Sequence, residues 1–87
     1  MNEHTLRILE RIKLTCGRFL RNDLTNDALL HDVEGLCGAL EDKEASLLIQ
    51  NFIVNIEDSR HLFEEVQGQV FLSEKIKDLF DSMEHLA

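Results

Sequence analysis

The sequence predicts an all-α protein, a compact bundle of four short helices, or of five if one of them is interrupted. Apolar residues recur at three- and four-residue steps along most of the chain, which is the period of a helix packed on one side. Proline is absent and only four of the 87 residues are glycine, so few residues oppose helix formation. A chain of this length supports one hydrophobic core, and residues 1–87 are therefore predicted to form a single domain.

The first predicted helix runs from about Glu3 to Arg21. Its apolar face consists of Leu6, Leu9, Ile12, Cys16, Phe19 and Leu20. The following segment, 22–26, contains asparagine, aspartate and threonine, whose short polar side chains hydrogen-bond to nearby backbone amides in turns and at helix N-caps. The next helix is therefore expected to begin near Thr25 or Asn26.

The second predicted helix covers Asp27 to Glu41. Its buried face consists of Leu29, Leu30, Val33, Leu36, Cys37 and Leu40. Asp27, Glu34 and Glu41 are seven residues apart and would share the outer face, where they form an acidic stripe. Gly35 and Gly38 would each cost a helix about 1 kcal/mol relative to alanine. We interpret them as sites where a neighbouring backbone packs closely; the alternative is a weak helix.

The third predicted helix starts near Asp42, a candidate N-cap. Its main apolar face consists of Ala45, Leu48, Ile49, Phe52, Ile53 and Ile56. Leu47 and Val54 project almost opposite that face, at about 100° per residue. We expect both to be buried, either under a neighbouring helix or in an interface such as a homodimer. Asn51 lies between them and would hydrogen-bond across that contact.

The third helix has no clear end in the sequence. Asp58 and Ser59 are compatible with an uninterrupted helix and with a new helix that starts there. Gly68 is expected to end whichever helix is present, because glycine is the usual residue at helix C-termini.

The last predicted helix begins at Ser73, an N-cap followed by a glutamate, and runs to about Leu86. Its inward side chains would be Ile76, Leu79, Phe80 and Met83. Three consecutive apolar residues precede it and interrupt the helical period. Residues 67–72 are therefore predicted to form a buried connector, with a short strand as the alternative.

The charge of the chain is uneven. Residues 1–21 carry a net charge of +3 and residues 22–87 a net charge of −11, which together give −8. An acidic protein repels the phosphate backbone, so nucleic-acid binding would depend on the first helix alone. Tryptophan and tyrosine are absent, and no aromatic platform for stacking bases is visible. Nucleic acid is therefore not an expected partner.

A basic stripe runs along the outer side of the first helix. Arg7, Arg11, Arg18 and Arg21 form it together with Leu14, at steps of four and three residues. One interpretation is a docking ridge for phosphate or for an acidic partner helix, since arginine grips both groups with two donors. The preferred alternative is a solvated face that pairs with the acidic helices of its own chain.

The sequence predicts no enzyme, no cofactor and no metal site. Cys16 and Cys37 lack C-x-x-C spacing and are interpreted as reduced core residues. No catalytic-serine or phosphate-loop pattern occurs, and no two histidines have the spacing of paired ligands on one helical turn. The four histidines are His4, His31, His61 and His85.

The same patterns bear on the location of the protein. No uninterrupted apolar stretch resembles a signal peptide or is long enough to span a membrane. A cytoplasmic protein without membrane contact is expected.

These exclusions favour a small domain that binds a basic protein partner through its acidic surface and the second apolar face of the third helix. In size, acidity and helical character the chain resembles the small immunity proteins that block bacterial nuclease toxins, which implies an inhibitor of a basic enzyme such as a toxin nuclease. The immunity proteins of DNase colicins carry a Tyr-Tyr-Pro motif, but this chain has neither tyrosine nor proline, so no site residue is transferred. The alternative is a dimeric regulatory or adaptor protein that acts on a transcription or signalling protein.

Overall fold

The computed structural model describes residues 2–86, which form a bundle of four α-helices. Their bounds are α1 Glu3–Leu20, α2 Asn26–Cys37, α3 Lys43–His61 and α4 Glu65–Leu86. The predicted all-α class is therefore confirmed, and the described part of the chain contains no strand.

The first three helices begin at side-chain N-caps. Asn2 accepts a hydrogen bond from the Thr5 amide at 2.8 Å. Thr25 and Asp42 accept from the amides three residues later, at 3.1 and 2.9 Å. Each cap satisfies an amide that has no partner inside its helix. The predicted starts of α2 and α3 are thereby confirmed.

Consecutive helices run in opposite directions and pack against each other. The start of α1 meets the end of α2, where His4 Nε2 lies 3.0 Å from the carbonyl oxygen of Ala39. The start of α2 meets the end of α3, where the side-chain amide of Asn26 donates to the Ser59 hydroxyl at 3.1 Å. Contacts between α1 and α4 close the bundle but are sparser than those between consecutive helices.

The core is formed by one side of each helix. Its fully buried large side chains include Ile12, Leu29, Ile49, Ile56, Leu72 and Ile76. Two residues assigned to the core face of α1, Leu6 and Leu20, are about half exposed, and Ile8 is buried instead. The inward stripe of α1 runs through Thr5, Ile8, Leu9, Ile12, Cys16 and Phe19. Leu6 and Leu20 therefore lie at the edge of this stripe.

The second helix is shorter than predicted. It ends at Cys37, and the Gly38 amide bonds to the Glu34 carbonyl at 3.1 Å as a C-cap. Glu41 consequently lies in the connector to α3. A Cβ at Gly35 would meet nothing within 4 Å, and one at Gly38 would meet only carbonyl oxygens of its own helix. The prediction of close backbone packing at these glycines is therefore wrong. Both glycines instead lie where α2 ends earlier than predicted.

The structure decides between the two alternatives left open for the third helix and corrects the prediction for the fourth. α3 continues without interruption through Asp58 and Ser59, and α4 begins at Glu65. The predicted connector 67–72 is therefore wrong, and so is the N-cap at Ser73, whose hydroxyl donates to the Gln69 carbonyl inside the helix at 2.8 Å.

Gly68 does not end a helix. It is buried near the start of α4, where a Cβ would lie 2.6 Å from the carbonyl oxygen of Ser59. Its missing side chain allows α4 to cross close to the last turn of α3.

Candidate protein-binding site

A groove lies between the end of α1 and the start of α4, two helices that pack against each other more sparsely than consecutive helices do. We call it the α1–α4 groove; it has a volume of about 360 Å³. It is lined by Phe19, Leu20, Asn22, Val66, Gln69, Val70, Ser73 and Glu74. Apolar side chains thus contribute from both helices.

Three of these apolar side chains face solvent. Val66 is 72% exposed, Val70 58% and Leu20 45%. Val66 and Val70 are four residues apart and therefore share one side of α4, away from the buried Leu72 and Ile76. Exposed apolar residues are ordinary when scattered, but a group of them around one concave surface is typical of a binding site.

The turn before α4 adds apolar surface at this end of the bundle. Leu62 is largely exposed, and the Phe63 ring stacks on Phe71 with centroids 4.7 Å apart. Just before this turn, the Ser59 hydroxyl at the end of α3 donates to the Ile56 carbonyl at 2.6 Å and accepts from the side chain of Asn26 in α2. The backbone of Ser59 also lies close to the start of α4, since a Cβ at Gly68 would be 2.6 Å from the Ser59 carbonyl oxygen.

One carboxylate lines the α1–α4 groove, and two more line a depression beside it. Glu74 lines the groove directly. Asp23 and Glu65 line an adjoining depression that shares Asn22 and Gln69 with the groove. The nearby Arg21 is paired with Asp23, with 3.8 Å between Nε and Oδ2. An apolar centre with an acidic edge complements a partner that presents an apolar side chain among basic residues.

The structure separates the acidic stripe predicted on one helix. Asp27 and Glu34 are exposed on α2, whereas Glu41 is exposed in the connector that follows. Asp27 is also partly neutralised, because its Oδ1 lies 2.8 Å from Nε of Arg60 on α3. These carboxylates add to the negative field of the domain but do not form a single row.

Leu47, Asn51 and Val54 lie on the outer side of α3 and are exposed. Leu47 is 57% and Val54 53% exposed, so no neighbouring helix of the same chain covers them. The prediction that they lie under such a helix is therefore wrong. Their burial by a second protein stays a prediction.

The basic stripe has only local ion pairs within residues 2–86. Arg7 lies 3.4 Å from Glu3 in the same helix, and Arg21 pairs with Asp23 in the next connector. Arg11 and Arg18 face an open groove of about 520 Å³ between α1 and α2, which His31, Asp32 and other residues also line. The expected pairing with the acidic helices does not occur in the described structure.

The histidine, cysteine and acidic side chains of the described residues are dispersed, and both thiols are buried. Among residues 2–86, no three histidine, cysteine or acidic side chains are grouped so that they could hold a metal ion. Cys16 and Cys37 are buried free thiols, and burial raises the pKa of Cys16 to about 12. Such a thiol is protonated at neutral pH and is a poor nucleophile.

No helix within residues 2–86 combines the length and apolar character needed to cross a bilayer.

Comparison of the chain with protein-family models, curated proteins and solved structures finds no match. The functional assignment therefore depends on the geometry and charge described above.

Proposed function

We propose that the protein binds a basic protein partner, with an apolar side chain of that partner seated in the α1–α4 groove. The observation that carries this proposal is the combination of Leu20, Val66 and Val70 around one concave surface with carboxylates at its edge. Burying the apolar centre supplies affinity, and the acidic edge favours basic partners and speeds their approach. The net charge of −8 extends the attraction beyond the site itself.

The type of function proposed is inhibition of a basic enzyme, such as a toxin nuclease. An enzyme that acts on nucleic acid has a cationic substrate site, and an acidic protein bound there competes with the substrate. The small size, acidity and helical character of the chain support this proposal. A cytoplasmic location is proposed with it, and the free buried thiols are compatible with that reducing compartment.

Affinity capture tests the site. The tagged protein is used to capture partners from its native host, alongside a Val66→Asp/Val70→Asp variant and a Leu14→Asp control. Leu14 is 69% exposed on α1 but lies outside the α1–α4 groove. The wild type and the control should retain the same basic protein. The double variant should bind it about 30- to 150-fold more weakly, because burial of the two valines contributes about 2–3 kcal/mol.

Equal binding by the double variant would show that the partner uses another surface, and an acidic captured protein would contradict the charge argument. Circular dichroism of each variant checks that the comparison is between folded proteins. Because both valines are exposed, their replacement should leave the helical content unchanged.

A second experiment tests inhibition. The captured partner, if it is a nuclease, is assayed against nucleic acid while the protein is titrated in. Activity should disappear at stoichiometric equivalence and remain in the presence of the Val66→Asp/Val70→Asp variant. A partner that stays fully active in the complex would contradict the inhibitor proposal.

The exposed Leu47 and Val54 favour a second candidate function, a dimeric regulatory or adaptor protein. In that case the captured partner would be a transcription or signalling protein. The stoichiometry of the purified complex, measured by light scattering, distinguishes a dimer that bridges two partner chains from a single inhibitor bound to one enzyme.

A further inference from the structure

The outer side of α3 carries a sequence pattern that is complementary to itself. Its members, which we call the α3 face, are Lys43, Leu47, Gln50, Asn51, Val54 and Asp58. At about 100° per residue they lie on the side of α3 opposite its buried residues. All are exposed except Asp58, which is half-buried. The face is therefore available to another molecule.

The six residues are arranged symmetrically about the midpoint between Gln50 and Asn51. Leu47 and Val54 are equally distant from that midpoint, and Lys43 and Asp58 are equally distant further out. A twofold axis through the midpoint would place a second α3 antiparallel to the first. Leu47 would then face Val54 of the second copy, and the amide side chains would meet around the axis.

Charge selects this orientation. In the antiparallel arrangement, Lys43 faces Asp58 of the second copy at both ends of the contact. A parallel arrangement would instead place like charges together. Neither Lys43 nor Asp58 forms an ion pair within residues 2–86, although the same residues contain four other ion pairs. The second copy would supply the missing partner for each of them.

We infer that the α3 face is the interface of an antiparallel homodimer. The contact involves one helix from each copy and two apolar residues per face, so it is small. Association should consequently be weak and strongly dependent on protein concentration. This inference does not depend on the proposed function, because no residue of α3 lines the α1–α4 groove.

Sedimentation equilibrium of the full chain over a range of concentrations tests the dimer. The wild type should change from monomer to dimer as its concentration rises. Leu47→Asp should weaken association about 100-fold or more, since it places carboxylates in the apolar layer. Val70→Asp serves as the matched control: it replaces a similarly exposed residue on α4 and should leave association unchanged.

A charge exchange tests the orientation. Lys43→Asp and Asp58→Lys should each weaken dimerisation about tenfold, because each creates like-charge contacts at both ends. The combined variant should recover wild-type association. Both substitutions favour the helix dipole, with an acid at the start of α3 and a base near its end, so folding should be preserved.

A wild type that remains monomeric at high concentration would overturn the inference. It would also be overturned if the combined variant associated as weakly as the single variants. A third contrary result would be a dimer that Val70→Asp weakens as much as Leu47→Asp does. Capture of a basic partner at the α1–α4 groove could still succeed in each case, so the two proposals fail separately.

Discussion

Replacing Gly68 with alanine should destabilise the bundle, although alanine is the better helix former. Gly68 lies near the start of α4, and a Cβ there would be 2.6 Å from the carbonyl oxygen of Ser59 in the last turn of α3. Real Cβ atoms essentially never approach other atoms closer than 3.0 Å. The obstacle is backbone rather than a flexible side chain, so the start of α4 must move away from α3.

The size of the effect follows from two opposing terms. Overpacking at a well-filled contact costs about 1–3 kcal/mol. The higher helix propensity of alanine returns up to about 1 kcal/mol. Gly68→Ala should therefore reduce the free energy of unfolding by about 1–2 kcal/mol, which lowers the Tm of a domain of this size by about 5–15 °C.

Gly35 provides the matched control. It lies in the last turn of α2, and a Cβ there would meet no atom within 4 Å. Gly35→Ala should raise the free energy of unfolding by about 0.5–1 kcal/mol, because only the propensity term remains. Thermal and urea denaturation followed by far-UV circular dichroism measure both variants. If Gly68→Ala is as stabilising as Gly35→Ala, the close approach of α4 to Ser59 does not exist.

Three further predictions concern charge, the buried thiol and metal. Reversing Asp27, Glu34 and Glu41 together should slow association with a basic partner about tenfold at low salt and reduce its salt dependence, as stopped-flow measurements would show, with little change in dissociation. Thiol-reactive reagents should label Cys16 only after unfolding. Because its folded-state pKa is raised from 9.0 to about 12, the stability that this thiol contributes should be complete below about pH 9 and fall as the pH rises towards 12, which chemical denaturation measures. Chelators should leave the far-UV circular dichroism spectrum unchanged.

Helix starts were predictable where the chemistry is local. The caps at Thr25 and Asp42 each join a side chain to an amide three residues later, so the residues that form them are visible in a short stretch of sequence. The presence of α1 and α3 was predictable for a related reason, although the end of α3 was not. Their apolar residues recur over enough turns to define one buried side.

Most errors in the predicted helix ends concerned glycines, because the role of a glycine depends on which atoms of another helix lie next to it. In the sequence Gly68 resembles a helix stop. In the structure it contacts Ser59, nine residues earlier, because the turn between α3 and α4 brings the two residues together. Gly35 and Gly38 resemble sites of close packing, yet no neighbouring helix approaches either of them. Local sequence contains no information on such tertiary contacts.

The start of α4 was missed for a different reason. Val70, Phe71 and Leu72 are consecutive and so must point to three sides of one helix: Val70 towards the groove, Phe71 against Phe63, and Leu72 into the core. A signal for this was present. Leu72 precedes Ile76 by one turn, so the buried stripe of the last helix continues backwards without a break.

The α1–α4 groove could not have been predicted from either helix alone. Leu20 and Val66 are 46 residues apart in the chain, and only the antiparallel closure of the bundle brings them to the same surface. In the sequence, Leu20 appears as a member of an apolar face expected to be buried. The structure leaves both side chains exposed, and the proposed partner would bury them.

The positions of the groove and the α3 face determine how the two proposed contacts combine. α1 and α3 each pack mainly against α2 and α4, so they occupy opposite corners of the bundle. A dimer formed through α3 would therefore leave both α1–α4 grooves open. A monomeric enzyme would bind each groove independently, and Leu47→Asp would not change its inhibition. A dimeric partner would engage both grooves at once and gain avidity of about 100-fold or more, which Leu47→Asp would remove. Titration calorimetry with wild type and Leu47→Asp thus distinguishes the two kinds of partner: equal affinities would indicate a monomeric partner, and loss of affinity in the variant, whose groove is intact, would indicate a dimeric one.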